Sequence, residues 1–318
     1  MATSQDRFTL WGIEVFLATV EERSISAAAR RLGTSPATVS QQLTNLETAI
    51  GTTLLDRSQR PIMATPAGDT FRVRAQNIVN EATQARSELA LDGQTTLTSF
   101  RLGMIEDLDA DVTPRLLSDM AEKLEGCQFL LETGASHRLF DLLDARALDM
   151  IVAADMGAAA DWTDVYPLLS DPFIVAVPKG EPVDALSLSQ RPLIQYTQRH
   201  HMGRQITAHL ARQRIPFIRQ FELDSYHSIL AMVAAGQGWA ILSALGWMRA
   251  GRFRDQVDIA PLPFGKLGRT ISLNARKDVL RDMPGETADA LRAILAEMIV
   301  RPAVAETPWL SNALRVER

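Results

Sequence analysis

The chain has 318 residues, a length that favours about two domains. Apolar residues make up 46% and charged residues 22% of it, which argues against a disordered or collagen-like chain. The formal net charge of −5 excludes a protein that coats nucleic acid through bulk positive charge. The single cysteine, Cys127, excludes an intramolecular disulfide and a cysteine-cluster metal site.

Two stretches bear on the cellular compartment. The first ten residues, MATSQDRFTL, lack the basic-then-apolar order of a secretory signal, so we expect a cytoplasmic protein. The stretch from Ser228 to Met248 carries no charge and approaches the length of a membrane span. Because Gly236-Gln237-Gly238 interrupts it, we predict a short buried helix (Ile229 to Ala235) and a buried strand (Trp239 to Leu242), with no membrane contact.

Residues 1–65 predict three short helices followed by a hairpin. Trp11 to Val20 and Ile25 to Leu32 form two amphipathic helices, and Gly33 ends the second. Ser35 and Pro36 are typical of the start of a third helix. Its apolar stripe is spaced in steps of four and three residues along Val39, Leu43, Leu46 and Ile50. This order predicts a helix-turn-helix.

The opposite face of the third helix is small and carries amides, which suits contact with base edges in the major groove. The hairpin from Leu54 to Met63 places arginines where a wing can hold phosphates. A helical domain without a DNA function is the alternative, and six arginines against six acids in residues 1–65 give DNA no help from net charge. The predicted DNA-binding residues are Arg30, Arg31, Ser35, Pro36, Ala37, Thr38, Ser40, Gln41, Gln42, Asn45, Arg57 and Arg60.

A long helix follows, from Thr65 to about Leu91. Its apolar residues repeat every 3.5 residues, which is typical of a coiled-coil seam between two copies of a chain. A helix lying on its own domain is the alternative. The predicted dimerisation residues are Phe71, Ala75, Ile78, Ala82, Ala85 and Leu89.

After a polar linker at 93–99, short apolar runs alternate with amphipathic stretches. Phe100 to Ile105, Phe129 to Leu131 and Met150 to Ala153 predict strands, and the segments between them predict helices. This alternation indicates an α/β domain with a largely parallel sheet.

Several segments together resemble the LysR-type transcriptional regulators. The match is dense over the first 68 residues and weaker over the remainder. The N-terminal segments are Phe16–Glu22, Ser26–Leu32, Val39–Leu43, Leu46–Glu47, Gly51, Leu54–Arg57 and Thr65–Gly68. The C-terminal segments are Leu142–Ala153, Asp171–Pro178 and Met232–Leu242.

The resemblance implies an α plus α/β fold in three parts. These are a winged helix-turn-helix (1–65), a dimerising linker helix (66–92) and an effector-binding domain (93–300) like the two-lobed periplasmic binding proteins. Lobe one would hold 99–169 with 265–300, and lobe two 170–264. Residues 301–318 extend past the usual end and have no assigned function. The implied partners are promoter DNA, a small-molecule effector, further copies in a dimer or tetramer, and RNA polymerase.

The sequence departs from the family pattern in places. Pro36 stands where a polar residue is common, and Thr44 and Asn45 stand where basic residues are common. The operator sequence therefore does not follow from the resemblance. Ser243 stands where the family often has proline.

Ligands of such sheets bind beyond the carboxyl ends of the strands. Acids crowd the first such point, at Glu106, Asp107, Asp109 and Asp111, and favour either a cationic effector or an interaction with a helix dipole. Arg199 or His200 could instead bind an anion, or lie in a solvated loop. The predicted effector-binding residues are Glu106, Asp107, Thr133, Tyr196, Thr197, Arg199, His200, Ser225 and Tyr226.

Other functions find less support. The sequence has no nucleophile elbow, phosphate loop or dinucleotide fingerprint, so we predict no enzyme and no cofactor. His200, His201 and His227 lack metal-ligand spacing, and we predict no metal. Cys127 is expected to be a small buried apolar residue. A regulator that needs no effector and a solute-binding protein remain as alternatives.

Overall fold

The computed structural model describes residues 8–91, 97–214 and 217–317, without the side chains of residues 87, 88, 90 and 91. The chain forms two compact units. One contains residues 1–92 with 145–147, and the other contains 93–144 with 148–318.

The first unit is a winged helix-turn-helix with a long helix after it, as predicted. Three helices are each preceded by a hydroxyl side chain, of Thr9, Ser24 and Ser35, that accepts a backbone N–H of the first turn. The elements are α1 (Leu10–Glu22), α2 (Ile25–Arg31), α3 (Pro36–Ile50), β1 (Leu55–Asp56), β2 (Met63–Ala64) and α4 (Pro66–Leu91).

The core of this unit draws on all of its helices. Phe16 and three residues of the α3 stripe, Val39, Leu43 and Leu46, are fully buried, and Ile50 is half-buried against them. The ring of Phe71, on α4, lies 5.3 Å from that of Phe16, and Ala75 is fully buried in the same cluster. The first turns of α4 therefore belong to the core of the winged helix.

The second unit is an α/β domain, as predicted. Its elements are β3 (Ser99–Met104), α5 (Val112–Lys123), β4 (Gln128–Thr133), α6 (Ser136–Asp144), β5 (Met150–Ala154), β6 (Thr163–Pro178), α7 (Ala185–Ser189), β7 (Pro192–Tyr196), α8 (His201–Arg212), β8 (Ile218–Leu223), α9 (Tyr226–Ala234), β9 (Trp239–Ser243), α10 (Ala244–Met248), β10 (Val257–Pro261), β11 (Gly268–Arg276), α11 (Met283–Leu295), α12 (Arg301–Glu306) and β12 (Arg315–Val316).

The main sheet runs in the order β4-β3-β5-β11-β6-β9-β7-β8. Strands β3, β4 and β5 pair in parallel at one end, and β7, β8 and β9 pair in parallel at the other. Between them, β6 and β11 pair antiparallel with their neighbours. The predicted parallel pairing thus holds within each half but not for the two strands that cross between the halves.

The stretch from Ser228 to Met248 folds as the sequence predicts, into most of α9, then β9 and α10. Within the described ranges, no helix combines the length and the apolar character that crossing a bilayer requires.

Candidate functional site

The outer face of α3 is the predicted DNA-reading surface. Ala37, Thr38, Gln41 and Asn45 are exposed along it, whereas Ser40 and Gln42 are half-buried. The Gln41 amide donates to the Asn45 carbonyl oxygen at 2.8 Å. Both residues of this amide pair are exposed to solvent in the middle of the helix. Such a pair presents base-reading groups in a fixed relative orientation.

The start of α3 uses two predicted DNA contacts for folding. The Ser35 hydroxyl accepts the backbone N–H of Thr38 at 3.1 Å and lies 2.9 Å from the Thr38 hydroxyl. Together with Pro36 it sets where the helix begins. These residues are exposed, so they remain DNA-binding candidates as well.

The predicted arginines differ in their partners. Arg31 pairs with Glu21 and Glu22 at the end of α1, and its hydrogen bond to Glu21 raises the pKa of the guanidinium. Arg30 and Arg60 are exposed and form no ion pair within the described part of the chain. Arg30 and Arg60 are therefore better placed than Arg31 to bind phosphate.

Glu47 fastens the wing to α3. One oxygen of its carboxylate accepts the backbone N–H groups of Leu54 and Leu55, at 2.8 and 3.1 Å. The other accepts Arg57 Nη2 at 2.7 Å. Arg57 is thus oriented by Glu47. Sequence analysis named Glu47 only within the family resemblance and assigned it no role.

The predicted seam on α4 divides into two parts. Phe71 and Ala75 pack into the winged-helix core, so the structure assigns them a contact different from the predicted one. Further along, Ile78 and Leu89 are 39% and 47% exposed, Ala85 is exposed and Ala82 is half-buried. The second part is an apolar stripe that a second copy could cover.

A buried ion cluster joins the predicted effector points of the second unit. Arg269, on β11, donates through Nη2 to Asp107 at 2.8 Å and through Nε to Asp171 at 2.8 Å. Its Nη2 also reaches the Ser243 hydroxyl at 3.2 Å. The side chains of Arg269, Asp107 and Asp171 are 7%, 13% and 0% exposed. We call these four residues the hinge cluster.

The hinge cluster is held by both crossing strands. Arg269 and Asp171 are partners in the β11–β6 register, and Ser243 ends β9. Asp107 follows β3, and Asp171 also accepts the backbone N–H of Leu245 at 3.1 Å. Burial lowers the pKa of Arg269, but the two carboxylates outweigh it and raise that pKa well above its usual value. The guanidinium therefore stays charged.

The remaining acids near β3 also have cationic partners. Arg249 Nη2 lies 3.0 Å from Asp109, and its Nη1 lies 3.9 Å from Asp111. Burial raises the pKa of Tyr226, which hydrogen-bonds Arg249. Three of the four crowded carboxylates pair with arginines, and Asp111 also stands directly before α5, so the cationic effector and the helix-dipole interaction both stay predictions. Only Glu106 stays exposed without an ion pair among the described residues.

A second group of predicted residues lies around the start of α8. Thr197 is buried, Arg199 is exposed, and the His200 ring lies 6.3 Å from that of His137 at the start of α6. A Cβ on Gly203 would lie 2.2 Å from the Thr197 carbonyl oxygen, so the helix can begin this close to β7 only with glycine there. Burial, then the charges of Arg204 and Arg269, lower the pKa of His201.

Other predicted residues lie near these groups. Tyr196 is buried at the end of β7, and burial and the charge of Asp107 raise its pKa. Thr133 ends β4 and Ser225 precedes α9, both half-buried. Sequence analysis missed Arg269 and Arg249, because no local pattern links them to partners more than 90 residues away in the chain.

Metal and thiol chemistry find little support. Over the described ranges, no group of three or more His, Cys, Asp or Glu could hold a metal ion. Cys127 is half-buried, and not buried as predicted. Burial, and to a smaller extent Asp149, raise the pKa of its thiol. The reactive thiolate is therefore disfavoured at neutral pH.

Two family models match the chain. Residues 10–69 match the bacterial regulatory helix-turn-helix proteins of the lysR family, and residues 94–299 match the LysR substrate binding domain. The chain therefore belongs to the LysR family: it is a DNA-binding transcriptional regulator with an effector-binding domain.

Two named relatives are similar to the chain over most of its length. The chain is 28% identical over 299 residues to a probable hydrogen peroxide-inducible genes activator of Mycobacterium avium, covering 92% of this chain and 94% of that one. It is 25% identical to the dual regulator OxyR of Escherichia coli K12, covering 88% and 94%.

A full-length OxyR variant of Pseudomonas aeruginosa shares the fold, with a TM-score of 0.65, 23% identity and coverage of 90% and 95%. So does full-length CbnR complexed with its target DNA, with a TM-score of 0.65, 18% identity and coverage of 90% and 100%.

Replacing Arg269 with methionine should destabilise the second unit by about 3–5 kcal/mol, because two buried carboxylates lose their common cation. Those carboxylates would then bind protons more tightly in the folded than in the unfolded state. The free energy of unfolding of R269M should therefore rise as the pH falls from about 7.5 to about 5. Urea unfolding at both pH values measures this. Arg115→Met is the control, since Arg115 is 59% exposed. A loss in R269M as small as in that control would contradict the role of the cluster.

The predicted dimer seam includes Ile78, so replacing Ile78 with glutamate should dissociate that dimer by placing a charge in the exposed part of the seam. Val73→Glu is the matched control, since Val73 is 58% exposed and lies on the opposite side of α4. Analytical ultracentrifugation gives the mass, and hydrogen exchange of α1 and α3 reports folding. A dimeric I78E with an intact fold would place the interface elsewhere.

Proposed function

We propose that this LysR-family chain acts as a homodimer that reads a promoter operator through the exposed Gln41–Asn45 pair of α3. The proposal rests on one observation: the Gln41 and Asn45 amides are hydrogen-bonded at 2.8 Å on the exposed face of α3. Ser35 caps the start of this helix, and Glu47 ties its C-terminal half to the wing. Contacts held this rigidly suit direct base readout.

We assign the domains as 1–65 for DNA binding, 66–92 for dimerisation and 93–300 for effector binding. Ile78, Ala82, Ala85 and Leu89 form the dimer seam. Arg30, Arg57 and Arg60 bind phosphate and set the register on DNA. A regulator bound at a promoter acts in the cytoplasm and through RNA polymerase, which we include among its partners. We assign it no enzymatic activity.

The effector we propose is a small organic anion bound where α8 begins. Two observations support it: Arg199 is exposed there, and the rings of His137 and His200 lie 6.3 Å apart. The positive end of the α8 dipole adds to this field. Charged and polar groups from both α6 and α8 then converge on one anion.

A second candidate is a regulator that needs no effector. The hinge cluster supports it, because Asp107 already supplies a carboxylate to the buried guanidinium of Arg269. In that case operator binding would not respond to any acid. The solute-binding alternative is dropped, since residues 10–69 match the helix-turn-helix model.

Replacing Gln41 with alanine should weaken operator binding by about 1–3 kcal/mol while leaving scrambled DNA unaffected, because one base-reading amide is lost. Titration on the DNA upstream of the chain's own gene, at physiological salt, measures both. Gln76→Ala is the control, since Gln76 forms a similar pair with Asn80 at 3.0 Å on α4. An equal loss on both DNAs would show that Gln41 only contacts phosphate.

Replacing Arg199 with glutamine should abolish the response of operator affinity to small organic acids, since the anion loses its main charged partner. A screen of carboxylates and phosphate esters against operator binding identifies the responsive acid first. Arg212→Gln, at the other end of α8, is the control. If no acid changes operator affinity in the unaltered protein, the effector-independent candidate is favoured.

Hydrogen peroxide should leave operator affinity unchanged, although two relatives are named for peroxide or as OxyR. The chain has one cysteine, which cannot form an intramolecular disulfide, and its thiol pKa is raised. Titration before and after peroxide, with Cys127→Ser alongside, measures this. A peroxide response that disappears in C127S would make Cys127 a sensor.

A further inference from the structure

Residues 309–315 form one wall of a groove in the second unit. After α12, a 3-10 turn spans Pro308–Asn312 and β12 then pairs with β6 at Ser170 and Leu169. Leu310 and Leu314 are buried, which anchors this segment, and the Ser170 hydroxyl donates to Glu317. The family model ends at residue 299, so family membership does not predict this wall.

The groove has a volume of about 560 Å3. Its floor is the pair of crossing segments, Ser170–Phe173 of β6 and Gly268–Thr270 of β11. Its other walls are the loop from Pro261 to Leu267 and the C-terminal segment around Trp309. These residues surround a space large enough for an organic molecule of drug size.

The lining of the groove combines apolar surface with positive charge. The indole of Trp309 is 37% exposed, and Leu262, Leu267 and Pro172 add further apolar surface. Lys266 is exposed and forms no ion pair within the described ranges. Arg315 shares its charge with Glu317 at 3.3 Å. Asp171 also lines the groove, but its carboxylate is committed to Arg269.

We propose that this groove binds a small aromatic carboxylic acid, with its carboxylate at Lys266 and Arg315 and its ring against Trp309. An unpaired lysine attracts an anion, and an exposed indole offers a flat apolar face. An amine would meet these cations unfavourably, and a neutral aromatic would leave Lys266 unpaired. The site is separate from the Arg199 and His200 group and does not depend on the effector proposed there.

The groove also borders the hinge cluster, whose residues lie on or next to strands of both halves of the sheet. Its floor contains the backbone of Asp171 and Arg269, the two residues of the hinge cluster that lie on the crossing strands. A ligand held there would bind differently to two arrangements of the crossing strands. This is the condition for a ligand to shift a conformational equilibrium.

The test uses 4-(trifluoromethyl)phenylacetate and its neutral amide as millimolar probes of the full-length protein, followed by 19F line broadening. The acid should bind, and Lys266→Gln and Trp309→Ala should each weaken it at least about fivefold, the equivalent of about 1 kcal/mol. Lys277→Gln removes the same charge elsewhere in the unit and should leave binding unchanged. The amide should bind less tightly than the acid.

Four outcomes would overturn the proposal. One is no binding of the acid to the unaltered protein. Another is an equal loss in K266Q and K277Q, which would show attraction to charge alone. Equal binding of the amide would remove the role of the carboxylate. Loss in R199Q but not in K266Q would place the probe at α8 instead, and would leave the proposed effector site standing.

Discussion

The second unit depends on a guanidinium that is buried with two carboxylates. Arg269 lies on one crossing strand and Asp171 on the other, Asp107 follows β3 in one half of the sheet, and Ser243 ends β9 in the other half. Removing the arginine leaves two carboxylates without their shared cation in a site that water hardly reaches, where the cost is several kcal/mol. The four residues therefore restrict how the halves can be arranged.

Glu47 has a comparable positioning role in the first unit. Its carboxylate is less deeply buried than that of Asp171, so the free energy needed to remove it from water is lower. Its carboxylate accepts two backbone N–H groups of the wing and one arginine, and so it fixes the position of β1 against α3. The exposed face of α3 and the wing are therefore held in a fixed relative position. Preorganisation of this kind reduces the entropy lost on binding.

The chain is similar to relatives named for hydrogen peroxide, but a shared fold does not imply a shared ligand chemistry. The fold is shared over nearly the whole chain, yet a regulator of this fold can host unrelated ligands because function depends on the site. Here the segments after β3 and at the start of α8 carry arginines, histidines and paired acids, and the one thiol lies half-buried before β4.

Local patterns in the sequence determined the helices of the winged helix, the break at Gly236 to Gly238 and the α/β alternation, because each depends on neighbours within one or two turns. The exposed face of α3 followed from the same periodicities. The tertiary structure alone decided which polar groups meet. Asp107 pairs with a residue 162 positions away, and Phe71 enters its own core although its spacing equally suits a dimer. Spacing records which face a side chain occupies, whereas its partner depends on how distant segments pack.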